Sequence, residues 1–223
     1  MWKLSAGTLL NFLLGDFQSM WEVLATNEEN RPRGNFAFGL LAMTLLELAC
    51  RACHGNAQAL QDFADALDAR EPRYFWRLPK PFGGQIGGMT LPTVRGVPPE
   101  EQLLGALFDM VRNGQAHLYQ QTFVQLTDGG FAVSLTGAPE GAFLEHADAS
   151  AARQDHLGID FDIGERVLVL KVRVDVLFCD LRHAIQKARL VERDLSIAHF
   201  QRKYDVSVDN LRASFATMNG TAK

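Results

Sequence analysis

The apolar pattern of this chain predicts a mainly α-helical bundle carrying a small antiparallel β-hairpin insert, an α+β arrangement in a single domain over residues 1–223. Three observations predict it. Through the first half, apolar residues recur every three to four positions, the period of a helix with one buried face. Between about residues 122 and 172 the period falls to two, as on a half-buried strand. From Val174 onward the helical period returns. The bundle is therefore expected at 1–121 and 173–218, with the insert at about 122–172.

Leu10, Leu13, Leu14, Phe17, Met20, Trp21 and Leu24 predict a first helix over Leu4 to Ala25, followed by a Pro-containing loop from Thr26 to Gly34. A second, very apolar helix is expected over Phe36 to His54, stopped by Gly55-Asn56. Leu60, Phe63, Ala64 and Leu67 predict a short third helix over Ala57 to Ala69. Arg70 to Pro99 reads as loop, with six of the eight prolines. Pro98 and Pro99 suit the first turn of a helix, whose apolar stripe runs from Leu103 to Val111. Asp128-Gly129-Gly130 between two alternating runs is a hairpin signal, and Gly164-Glu165 marks a second. Gly137 to Gln154, rich in Ala, Gly and acids, reads as a loop. Val174 to Val191 predicts a helix, and Ser207 is an expected N-cap for a last helical segment over Ser196 to about Met218.

Composition narrows the function classes. An apolar fraction of 47% and a charged fraction of 22% suit a soluble globular protein. With a net charge of -4 the chain has no global basic field, so any nucleic-acid site must be local. The apolar run Leu9 to Leu14 is short, Asp16 follows, and no small-residue cleavage site appears. A cytoplasmic location is expected, with no membrane span and with the three cysteines as reduced thiols.

The chemistry-bearing stretch is Arg112-Asn113-Gly114-Gln115-Ala116-His117. A guanidinium is a permanent forked cation suited to phosphate oxygens, and an imidazole exchanges protons near neutrality. On one α-helix these two would sit about 140° apart. Convergence therefore needs a break at Asn113-Gly114 or a second copy of the chain. Asn113, four residues before His117, would share its face and orient the ring.

This Arg-polar-x-x-x-His signature at the end of a helix in a helical half resembles the HEPN superfamily, whose members are often metal-independent ribonucleases with composite dimeric sites. The resemblance covers the helical parts and matches at Arg112, Asn113 and His117. It implies an endoribonuclease acting as a homodimer on RNA or a nucleotide, with no metal and no cofactor, and it admits an antitoxin-type protein partner. His117 would move the proton, Arg112 would stabilise charge at phosphorus, and Asn113 would position ring or phosphate. A non-catalytic HEPN-like module that binds RNA, a nucleotide or a protein is the alternative. A third reading makes Arg112 and His117 cations that only cap a helix end. Glu47 is a candidate further polar member of the pocket.

Other candidates are weaker. Arg73 and Arg77 interleave with Tyr74, Phe75 and Trp76, and cations with stacking aromatics suit single-stranded nucleic acid. Together with Tyr119 they are the candidate substrate-binding residues, although packing of the aromatics on the bundle is the favoured reading. Cys50-Arg51-Ala52-Cys53-His54 fits the pattern of covalent haem attachment, yet lies at the end of an apolar helix where buried cysteines are common. Asp160 and Asp162 read as the solvated side of a hairpin.

Overall fold

The computed structural model describes residues 6–25, 35–78, 86, 89–113, 123–137, 148–192, 207–210 and 212. Helix α1 (Ala6–Ala25) and helix α2 (Asn35–Ala52) follow the apolar spacing closely. Both pack against a late helix, α6 (Val174–Lys187). Phe17 of α1 stacks on Phe178 of α6 with ring centroids 3.6 Å apart. Trp21 of α1 lies 4.6 Å from Phe38 of α2. Such pairs contribute about 0.5–1.5 kcal/mol each beyond the area they bury. Gly55 turns the chain with a φ of +76°, a region open to glycine. Asn56 then caps α3 (Ala57–Arg70), its Oδ1 accepting from the Ala59 N–H at 3.0 Å.

After α3, Glu71 starts a 3-10 turn over Pro72–Phe75 that buries Tyr74 and Phe75 and leaves Trp76 half-exposed. Packing thus takes two of the three aromatics of this loop. Gln102 is fully buried and donates through Nε2 to the carbonyls of Pro92 and Val97, which pins the next part of the loop. A 3-10 turn (Pro99–Glu101) leads into the short helix α4 (Leu103–Leu107), which widens into a π-helical turn over Phe108–Asn113.

Both expected hairpins form: β1 (Phe123–Leu126) with β2 (Gly129–Thr136), and β3 (Gly158–Asp162) with β4 (Val167–Arg173). They do not form a small insert on a helical bundle. Strands β2 and β4 pair in parallel, giving one four-stranded mixed sheet in the order β1-β2-β4-β3. The expectation of a helical bundle with a minor hairpin is therefore corrected to a sizeable α+β fold. Its physical reason lies in the register. Val124, Phe131, Leu168 and Phe161 line up across the sheet, and Val133, Leu170 and Ile159 form the next row of the same face. Phe131, Val133, Leu170 and Val172 belong to the same core as the helical rings. The hairpins complete that core because each alone has too little apolar face to bury.

At Gly39, where α2 meets β2, a Cβ would collide with Leu135. Strand β4 runs straight into α6, with no loop between Arg173 and Val174. The stretch expected to be loop from Gly137 to Gln154 contains most of a short helix, α5 (Ser150–Asp155). That helix carries no apolar stripe to announce it, and a buried network around Arg153 holds it in place. Ser207 does accept from the Asn210 N–H at 3.1 Å, as an N-cap would; the rest of the expected last helix lies outside the described residues. Among the described residues no helix is long and apolar enough to cross a membrane.

Candidate functional site

Arg112 lies in the π-helical turn, packed beside α2. On α2, Glu47 and Arg51 are one turn apart and form an ion pair at 2.7 Å. The other oxygen of the same carboxylate lies 3.4 Å from Nε of Arg112. That approach is an ion pair without hydrogen-bond geometry, and the buried Arg112 Nε–H finds no acceptor among the described residues. Two guanidiniums thus share one carboxylate, leaving local positive charge. Glu47, a candidate polar member of the pocket from the sequence, does lie beside Arg112; Arg51 joins the cluster without a sequence signal of its own.

The π-helical turn is described as far as Asn113. His117, Gly114 and Tyr119 lie outside the described residues, and so does the side chain of Asn113.

Arg73 and Arg77 do not join Arg112. Arg77 is an exposed side chain paired with Glu101 at 3.3 Å, and it donates to the Gly96 carbonyl at 2.9 Å. Arg73 is locked by a bidentate pair with Glu71 (2.7 and 2.6 Å) and donates to the Arg153 carbonyl at 2.8 Å. Its guanidinium is thereby committed to the protein.

Arg73 borders a polar cluster that local spacing could not disclose. Asp180 of α6 is fully buried, and its carboxylate accepts four hydrogen bonds. Arg153 donates to Oδ1 at 2.7 Å and to Oδ2 at 3.3 Å. Arg70 Nε donates to Oδ1 at 3.0 Å, and the Tyr74 hydroxyl to Oδ2 at 3.1 Å. Because a phenol has one proton, the 2.9 Å contact between Tyr74 and His156 Nε2 assigns the donating N–H to the imidazole. Arg70 and Arg153 also both reach Asp148.

Burial and charge set the protonation states here. Burial first, and then the nearby guanidiniums of Arg73, Arg153 and Arg173, push the His156 pKa down to about 3, so the ring is neutral at pH 7. Burial likewise raises the Tyr74 phenol well above its usual value, with Asp180 adding to the effect. For Asp148, burial acts upward, but hydrogen bonds from Arg153 and Arg70 outweigh it and the net shift is downward. His156 held neutral and Tyr74 held protonated suit a structural clamp and not a general acid or base.

The cysteine motif is closed to chemistry in the fold. Cys50 and Cys53 are both buried in the main core, and burial raises the Cys50 thiol well above its ordinary pKa. No family model, no curated protein and no solved structure matches this chain.

Proposed function

We propose that this protein is a HEPN-like, metal-independent endoribonuclease that acts as a homodimer in the cytoplasm. In this reading His117 takes the proton of a ribose 2′-hydroxyl, the 2′-oxygen attacks phosphorus, and the bond to the leaving 5′-oxygen breaks as that oxygen takes a proton from water and His117 returns its own to solvent. Arg112 holds the phosphate oxygens and stabilises the developing charge, with Asn113 positioning ring or phosphate. The single observation that carries the reading is the state of Arg112. It stands in a π-helical turn, a feature frequent at functional sites, with one N–H unsatisfied beside Glu47. A guanidinium kept for structure alone would make the good hydrogen bonds that Arg73 makes.

The test is cleavage of a defined single-stranded RNA by purified protein in the presence of a chelator. Wild-type protein should cut it. Arg112→Ala should lose on the order of 10²–10³-fold in rate, and His117→Ala should be inactive with unchanged folding and oligomer size. Absence of cleavage by the wild type sinks the ribonuclease reading. RNA binding that still depends on Arg112 would then assign the protein as a non-catalytic module, a reading favoured by the carboxylate that Glu47 already holds against Arg112.

A further inference from the structure

A second polar site lies on elements that the proposed active site does not use. Arg70 at the end of α3, Asp148 just ahead of α5, and Cys179, Arg182, His183 and Gln186 on α6 enclose a pocket of about 180 Å3. The α6 positions are spaced by three and four, so they share one helix face. Among the described residues, the side chains of Arg182, His183 and Gln186 engage no protein partner. We propose that this pocket binds a phosphate-type oxyanion, with Arg182 as its charged donor and His183 and Gln186 completing the set.

Charge arithmetic favours an anion. Asp180 and Asp148 are both engaged by Arg70 and Arg153, two carboxylates against two guanidiniums. Arg182 is the unopposed charge at the wall, and its planar fork matches phosphate oxygens. Size points the same way. Pockets for drug-sized ligands run to roughly 300–1,000 Å3, so this one takes a small group and leaves any larger tail in solvent, past the exposed His183 and Gln186. The Cys179 thiol in the wall is held protonated, pushed up to about 12 by burial and by its carboxylate neighbours, so it presents no competing negative charge. Asp148 is the one acid at the pocket, and it limits affinity.

The experiment is a titration of the full chain with inorganic phosphate at fixed ionic strength, followed by 31P line broadening and calorimetry, with chloride as the control. Saturable one-to-one binding is expected. Arg182→Ala should weaken it about tenfold or more with an unchanged melting temperature, and Asp148→Asn should tighten it several-fold. Arg112→Ala should leave it unchanged, which separates this site from the proposed ribonuclease site. Binding of AMP as well as phosphate assigns a phosphorylated molecule as the source, and phosphate alone assigns the free ion. No saturable binding, full binding by Arg182→Ala, or loss in Arg112→Ala overturns the proposal.

Discussion

Asp180 and Glu47 each sit between two arginines, Arg70 and Arg153 in one case and Arg51 and Arg112 in the other. Asp180 has no exposed side-chain surface and four donors on its two oxygens. Glu47 keeps 17% of its side chain exposed, makes one short contact at 2.7 Å, and leaves Arg112 at 3.4 Å without a hydrogen bond. The same three charges therefore do different work. Buried ion pairs are tolerated when the charged donors and acceptors are matched, and both oxygens of Asp180 are matched by the guanidiniums and the phenol, although Nδ1 of the neighbouring His156 finds no partner among the described residues. Around Glu47 the matching is incomplete and solvent is near.

The contrast breaks most visibly at Asp180. Asp180→Ala leaves two arginines with only the exposed Asp148 for a carboxylate partner and should cost about 3–5 kcal/mol in urea unfolding, whereas Glu47→Ala should cost about 1 kcal/mol or less; equal losses would erase the distinction. Tyr74→Phe removes one donor from Asp180 and one acceptor from His156, for an expected loss of about 1–3 kcal/mol. Acid sharpens the picture. With a folded-state pKa of about 3 against an ordinary 6.5, His156 makes the unfolded chain take up a proton first as pH falls below 6.5. Stability present at pH 7 is then lost on acidification, by about 2 kcal/mol at pH 5. His156→Gln should flatten that part of the stability curve, and an unaltered slope would place the titration elsewhere. The smallest effect belongs to the solvent-exposed pair Arg166–Asp128, where Asp128→Asn should shift stability by less than about 0.5 kcal/mol.

Much of the fold was legible because it is written locally. Phe17 and Trp21, or Leu60 and Phe63, declare a helix face within one or two turns, and Asp128-Gly129-Gly130 declares its own hairpin. Parallel pairing of β2 with β4 has no such mark. Gly130 and Val167 meet across a long crossover, and nothing near either residue specifies the other. The site divides in the same way. Glu47 and Arg51 are linked by helix spacing, and Arg112 stood out for its chemistry. Tyr74, His156 and Asp180 come from three distant segments, so only the folded chain brings them together. Arg153 was hidden further by a stretch whose Ala- and acid-rich composition resembles loop.

The stacking of Phe17 on Phe178 has a consequence for how the chain is made. At a translation rate of roughly 5–20 residues per second, the first helix leaves the ribosome on the order of ten seconds before its partner ring exists. Phe38 of α2 covers part of its aromatic stripe early, but the face that meets Phe178 stays uncovered for that interval, a natural target for a chaperone. A nascent chain halted before α6 should therefore be far more prone to aggregation than one released whole.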